Sequence, residues 1–217
     1  MTLMNLGGCG DGIAAASRSL SSYSAELDRE LAAFRVNQNT GWSQRDRIAF
    51  VGGDGVQALR TLQEASRLPD DLVVLSLSHK LERDMAQFLG RGRLVSLGAR
   101  EYSSQHRDEF RRMQRLLPIF ETPWRVAVKS AVSENPKCPL LISLHLSLFS
   151  LADAPGAIGG GCRGLNLDQF FGSLDDLPTE RVVAWHIWGA QADVGPECRT
   201  SRLGAEILRE AILRWSG

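Results

Sequence analysis

Three of the four histidines in this sequence lie near the carboxyl ends of short apolar runs: His79, His145 and His186. Imidazole binds zinc and other transition metals, and it acts as a general acid or base near neutral pH. Three imidazoles around one metal ion leave a fourth position open for a water molecule, which the metal activates for hydrolysis. These residues therefore suit a hydrolytic single-metal site, provided that the fold brings them together.

Two glycine-rich turns are the second feature that could bind a ligand: GGCGDG at residues 7–12 and GGDG at residues 52–55. Each follows an apolar run and precedes an amphipathic one, so backbone N–H groups at a helix start could hold a phosphate. A dinucleotide site also needs a second strand that ends in an acidic residue about 20 positions later. Here the nearby acidic residues, Glu26, Asp28 and Glu30, fall inside a helical run, so an anion or nucleotide site at Gly7–Gly12 is only an alternative.

A parallel sheet is the element that must position these residues, because short apolar runs alternate with amphipathic segments along the chain. We predict seven strands: Thr2–Leu6, Arg47–Val51, Leu72–Leu77, Arg93–Leu97, Arg125–Lys129, Pro139–Ser147 and Arg181–Trp188. Apolar residues three or four apart predict helices over Gly12–Phe34, Val56–Ser66, Leu81–Leu89, Ser104–Leu116, Leu167–Leu174 and Ser201–Trp215. Ligands of such sheets bind beyond the carboxyl ends of the strands, where the histidines and glycine turns lie.

Length and charge restrict the class of protein. The chain has 217 residues, 43% of them apolar, with 25 basic and 25 acidic side chains. This predicts one domain over residues 1–217 with a substantial core, and balanced charge does not favour nucleic acid as a partner. No stretch of roughly 18 apolar residues and no leader-like start is present, so we expect a cytoplasmic protein with no membrane contact. Four scattered cysteines without a CxxC pair are expected to be free thiols.

Several segments, in order, resemble the ureohydrolases, the family of arginase, agmatinase and formimidoylglutamase. Residues 51–55 resemble the family's Gly-Gly-Asp-His-Ser turn, and residues 72–81 its strand ending in Asp-Ala-His-x-Asp. SLHLSLFSLADAPG, at residues 143–156, has the length and ending of its Ser-Phe-Asp-x-Asp-x-x-Asp-Pro…Ala-Pro-Gly segment. Residues 182–192 resemble its last strand. The resemblance implies a three-layer α/β/α sandwich, arginase-like, that is shortened at the N-terminus and in the active-site loops.

The resemblance also implies that most metal ligands of the family are missing. The family binds two manganese ions through two histidines and four aspartates, and only His79 remains as a ligand of that type. The positions that match the ligands are Gly55, Leu77, His79, Leu81, His145 and Ser147, and the substrate-binding glutamate falls at Gly189. Two metal ions bring a formal charge of about +4 that anionic ligands must offset. We therefore expect no dimanganese cluster and no cofactor.

The function implied by the resemblance is that of a catalytically inactive pseudoenzyme with a structural or regulatory role. Its expected partners are further copies of this chain or a related protein in an oligomer. Two alternatives stay open: a remodelled hydrolase with one zinc or other transition-metal ion on His79, His145 and His186, and the anion or nucleotide site at Gly7–Gly12. Soft-metal binding by Cys9, Cys162 and Cys198, in loops predicted at the same rim, is a further variant of the metal site.

Overall fold

The structure is a computed structural model that describes residues 2–6, 13, 35–36, 48–65, 68–80, 82–89, 92–99, 115–117, 123–134, 136–191 and 199–216. Within these ranges one sheet contains β1 (Thr2–Asn5), β2 (Arg35–Val36), β3 (Ile48–Val51), β4 (Val73–Leu77), β5 (Arg93–Leu97), β6 (Arg115–Leu117), β7 (Leu140–His145) and β8 (Val182–Trp188). The strand order is β2-β1-β3-β8-β7-β4-β5-β6. Every pair of neighbouring strands in this sheet is parallel.

Helices cover both faces of the sheet. The described part of the chain contains α1 (Gly55–Glu64), α2 (Arg83–Phe88), α3 (Trp124–Ser133), α4 (Leu167–Leu174) and α5 (Arg199–Ser216), with short 3-10 turns at Leu146–Leu148 and Thr179–Arg181. Helices α1 and α2 share a buried cluster with one face of the sheet, and α3, α4 and α5 share another with the opposite face. The predicted three-layer α/β/α sandwich with a parallel sheet is therefore confirmed.

The central strands are apolar on both faces, which is why they read as continuous hydrophobic runs rather than as alternating ones. Every residue of β4 and of β7 is buried. Successive side chains point to opposite faces, so Val74 packs in the cluster under α1 and α2 while Leu75 packs in the cluster under α3, α4 and α5. Six of the seven predicted strands and the helices corresponding to α1, α2, α4 and α5 are confirmed.

The predicted strand over Arg125–Lys129 is wrong, because these residues lie in α3. Its valines suggested a strand, yet the burial has the helical period: Val126 is 54% exposed and Val128 is buried. Pro123 precedes the first turn, where a missing N–H removes no helical hydrogen bond. The buried residues of α3 are Trp124, Ala127, Val128, Ala131 and Val132.

Two short strands were not predicted, namely β2 and β6. Strand β6 contains Arg115 and Leu116, which the prediction placed at the end of a helix over Ser104–Leu116, so that end of the helix is wrong. The rest of that helix, and all of the predicted helix Gly12–Phe34 except Ile13, lies outside the described residues. None of the helices in the described ranges has the length and apolarity that crossing a membrane requires.

Candidate functional site

The candidate site lies at the carboxyl edge of the sheet, where β3, β8, β7 and β4 end side by side. Strand β7 ends at His145, and His79 follows the end of β4 by two residues. The register pairs His145 with Trp188 and Ser143 with His186 across β7 and β8. Since the strands are parallel, their carboxyl ends meet at one edge, which brings the three histidines into one region as the sequence predicted.

Ser147 joins two of these histidines. Its backbone N–H donates to His145 Nδ1 at 3.1 Å, and its hydroxyl oxygen lies 2.5 Å from the same nitrogen. The hydroxyl is also hydrogen-bonded to His79 Nδ1, and the two imidazole centroids are 5.7 Å apart. The exposed fractions of His79, His145 and Ser147 are only 3%, 7% and 0%, so the hydrogen bonds of this cluster are shielded from water.

The hydrogen bonds determine which ring nitrogens carry protons. A backbone N–H can only donate, so His145 Nδ1 is unprotonated and the proton of this neutral ring lies on Nε2. The Ser147 hydroxyl has one proton and donates it to His145 Nδ1, because two lone pairs would otherwise face each other at 2.5 Å. It therefore accepts from His79 Nδ1–H. The cluster then forms a directed chain from His79 through Ser147 to His145, and each of the three side chains has a defined role as donor or acceptor.

His186 lies deeper and uses both ring nitrogens. Its Nε2 is 2.9 Å from the carbonyl oxygen of Gly52, which can only accept, so Nε2 carries the proton. Its Nδ1 is 3.1 Å from the Ser143 hydroxyl, which therefore donates. Burial lowers the pKa of His186 to about 4, although the hydrogen bond to Gly52 acts in the opposite direction. His186 is thus neutral and fixed in one orientation near pH 7.

His145 is also held in the neutral form. Burial lowers its pKa to about 3, and repulsion from His79, His186 and Lys80 adds to this effect. The ring of Trp188 packs edge-on against His145 with centroids 4.4 Å apart, and it stacks on His186 at 5.6 Å with an interplanar angle of 8°. A tight aromatic group therefore separates the two imidazoles from solvent.

At two glycines, a neighbouring side chain occupies the space that a side chain at the glycine position would need. Gly189 has a φ of 88°, and a Cβ built there would lie 2.6 Å from both Nδ1 and Nε2 of His145. A Cβ on Gly55 would collide with the sulfur and neighbouring carbons of Met85, a residue that is 1% exposed. The His145 ring and the Met85 side chain thus fill the positions that side chains at 189 and 55 would need.

A segment over residues 150–161, which we call the roof, lies above the histidines. Ile158 N donates to Gly189 O at 2.6 Å, and Gln191 N donates to Gly156 O at 2.8 Å. The Thr200 hydroxyl accepts from Gly156 N at 2.7 Å, which ties the roof to α5. A Cβ built on Gly159 would lie 3.2 Å from His79 Cε1 and Nε2, so the roof backbone is in close contact with that ring.

The structure brings together only part of the residue set predicted for the site. His79, His145 and Ser147 share hydrogen bonds, and Gly189 adjoins them, whereas Leu77 packs in the apolar core under α3, α4 and α5. Leu81, the turn at Gly7–Gly12, Cys9 and Cys198 lie outside the described residues. Cys138 and Cys162 are free thiols. The contacts of Met85 with Gly55 and of Trp188 with His145 were not predicted, because they arise from packing between elements distant in the chain.

The donor set does not fit two manganese ions. Across the described ranges, no group of three or more His, Cys, Asp or Glu side chains is placed to hold a metal ion. Mn²⁺ prefers carboxylate oxygens, while this cluster offers imidazoles and one hydroxyl. Glu82, which follows β4 at the same edge, accepts from the Ser78 hydroxyl at 3.1 Å, and burial raises the pKa of Glu82. Burial thus disfavours the charged form of this carboxyl.

Comparison with solved structures identifies the fold. Arginase from Bacillus subtilis matches with a TM-score of 0.70 at 13% identity, covering 97% of each chain. The oxidized formiminoglutamase of Trypanosoma cruzi with Mn²⁺ matches with a TM-score of 0.74 at 14% identity, covering 98% of this chain and 91% of that one. A triple mutant of a T. brucei arginase-like protein bound with Mn²⁺ matches with a TM-score of 0.66 at 17% identity, covering 100% and 91%.

Searches of family models and of curated sequences find no relative of this chain. With identities of 13 to 17%, the structural matches establish the fold and nothing finer. The chain has the ureohydrolase fold.

Proposed function

We propose that this chain is a ureohydrolase-fold protein that does not hydrolyse guanidino substrates and has a structural or regulatory role. The observation that carries the proposal is the filling of the site by the chain's own side chains. The His145 ring takes the space of a side chain at Gly189, the position that the sequence resemblance assigns to the substrate-binding glutamate. Met85 takes the space of a side chain at Gly55, the position assigned to the first ligand histidine.

Charge supports the same proposal. The three substitutions in the Mn²⁺-bound T. brucei arginase-like protein introduce two aspartates and one histidine. In that protein, manganese is thus bound by a variant that has gained carboxylates. This chain has leucine at 77, histidine at 145 and serine at 147 where the resemblance expects aspartates. Neutral groups at these positions cannot offset the charge of two divalent cations.

The direct test is an activity assay with purified protein and added Mn²⁺. We expect no urea from arginine or agmatine and no formamide from formimidoylglutamate above the rate without protein. An active arginase under the same conditions is the positive control for the urea assay. Manganese-dependent turnover at an ordinary enzymatic rate, on the order of 1 per second or faster, would contradict the proposal.

A role in an oligomer is the part of the proposal that concerns partners. Leu151 and Ile158 lie on the roof and are exposed by 36% and 51%; with Val126 they are the large apolar side chains that are exposed in the described ranges. We expect an oligomer that buries them, of this chain alone or with a related protein. Light scattering on wild type and on Ile158→Ser measures this. A wild-type protein that is monomeric both alone and when mixed with an active ureohydrolase would contradict this expectation.

A single-metal hydrolase is the second candidate, and one observation favours it: the Nδ1 atoms of His79 and His145 converge on one oxygen of Ser147. A zinc ion bound by both Nδ1 atoms would have to displace the proton on His79 Nδ1 and the hydrogen bonds of both rings to the Ser147 hydroxyl. Recruiting His186 as well would break its bonds to Gly52 and Ser143. About one zinc per chain that is lost in His145→Ala would support this candidate, and metal-free protein of full stability would exclude it.

A further inference from the structure

We infer that His79, Ser147 and His145 form a metal-free clasp that holds the carboxyl ends of β4 and β7 together and supports the roof above them. The inference rests on the proposed function only in that both take this edge of the sheet to be stable without a metal ion. It assigns to three side chains a structural task that a bound cation would otherwise perform. The following points carry it.

The clasp links elements that are far apart in sequence. Ser147 and His79 are 68 residues apart, and their hydrogen bond connects the turn after β7 to the segment after β4. Strands β4 and β7 are already paired, with Leu77 opposite Leu144, so the clasp continues the pairing beyond the last rung of the sheet. A hydrogen bond between buried groups at this point fixes loops that the backbone ladder no longer holds.

The local backbone is arranged to aim the Ser147 hydroxyl. His145 caps the 3-10 turn Leu146–Leu148, because its Nδ1 accepts from the backbone N–H of Ser147. The same turn places the Ser147 hydroxyl next to that nitrogen. Two bonds from one residue to one ring nitrogen leave little freedom to either side chain. The hydroxyl therefore needs no large entropy loss to reach His79, because the turn has already restricted it.

The surroundings hold the clasp from both sides. The absence of a Cβ at Gly189 lets the His145 ring lie against the backbone, and the ring of Trp188 makes a T-shaped contact with it. The close approach of Gly159 to His79 connects the clasp to the roof. Loosening of the His79 ring would therefore be transmitted to residues 158–160, whose position also depends on the bond from Ile158 to Gly189.

Ser147→Ala tests the clasp, because it removes the hydroxyl and keeps the backbone bond to His145. It removes the hydroxyl that is hydrogen-bonded to the buried His79 Nδ1, and we expect the unfolding equilibrium constant to rise about ten- to hundred-fold. Ser150→Ala is the matched control, since the Ser150 hydroxyl makes a single bond to Asp153 at 2.9 Å in a less buried place. It should raise that constant less than about five-fold.

Two local measurements separate a clasp from general loss of packing. Nitrogen-15 NMR should show His145 with its proton on Nε2 in both wild type and Ser147→Ala, while His79 loses its fixed Nδ1–H form only in the variant. Hydrogen exchange of the Ile158 amide should accelerate about ten-fold or more in the variant, beyond that of the Phe170 amide in α4.

Equal effects of Ser147→Ala and Ser150→Ala, or unchanged exchange at Ile158, would overturn the clasp even if the protein is inactive. A wild-type midpoint of unfolding that falls when a chelator is added would overturn it in another way, because a metal would then hold the edge. Manganese-dependent turnover of wild type would instead refute the proposed function, so the two failures are distinguishable.

Discussion

Mild acid should destabilise the folded chain through its buried histidines. In the unfolded chain His145 and His186 titrate near 6.5, whereas burial lowers the pKa of His145 to about 3 and that of His186 to about 4. Below pH 6.5 the unfolded chain therefore binds more protons than the folded chain, and stability falls as the pH falls. The contribution of both rings is complete above about pH 6.5 and is lost progressively toward pH 4.

The size of the effect follows from the two shifts. Each histidine lowers the free energy of unfolding by about 1.4 kcal/mol per pH unit in this window. Between about pH 7 and pH 5 this amounts to about 2 kcal/mol per ring, or about 4 kcal/mol for both. Glu82 acts in the opposite direction: burial raises its pKa, so its protonation favours the folded chain as the pH falls toward 4.5. Protonation of Glu82 in the folded chain therefore opposes the loss that the histidines cause.

Urea denaturation at about pH 7.5, 6 and 5, followed by tryptophan fluorescence, measures this loss. The slope with pH should become steeper in Glu82→Gln, which removes the opposing carboxyl, and NMR should show both imidazoles neutral at pH 5. Equal stability at the three pH values would refute the reasoning. A native titration of His145 or His186 near 6.5 would refute it as well, because burial would then not hold these rings neutral.

The remaining predictions concern the two glycines. Gly189→Ala should lower the free energy of unfolding by about 2–5 kcal/mol, because a positive φ is strained for alanine and its Cβ meets the His145 ring. A loss below about 0.5 kcal/mol in thermal or urea unfolding would contradict this contact. Gly55→Ala should lower the free energy of unfolding by about 1–3 kcal/mol. In a Met85→Ala background the same substitution should cost about 1 kcal/mol less, which a double-mutant cycle measures as a coupling energy. Strictly additive effects would show that Met85 does not fill the space at Gly55.

Much of the fold could be predicted from the sequence, because burial on both faces produces a readable pattern. Strand β5 and helix α4 have the predicted bounds, and β4, β7 and β8 differ from them by one or two residues at an end. The pattern misled where β-branched residues lie in a helix: Val126 and Val128 of α3 suggested a strand, although only the helical spacing buries the apolar side. Strands as short as β2 contain too few residues for any period to be detected.

The location of the candidate site was predictable, and its interior was not. Parallel topology places the ends of β4, β7 and β8 at one edge, so His79, His145 and His186 had to lie in one region. Whether they share a ligand or bond to each other depends on side-chain directions, which spacing does not give. The contacts of Met85 with Gly55 and of His145 with Gly189 join residues far apart in sequence, and only the packed structure reveals them.

Manganese content is the measurement that tests the central claim most directly. Purified protein would be incubated with excess Mn²⁺, passed through a desalting column and analysed by atomic emission, with an active arginase as the reference and Ser147→Asp as a variant that regains one carboxylate. We expect far less than one manganese per chain in wild type, since imidazoles and a hydroxyl cannot offset paired divalent charge. Two tightly held manganese ions per wild-type chain would contradict the account.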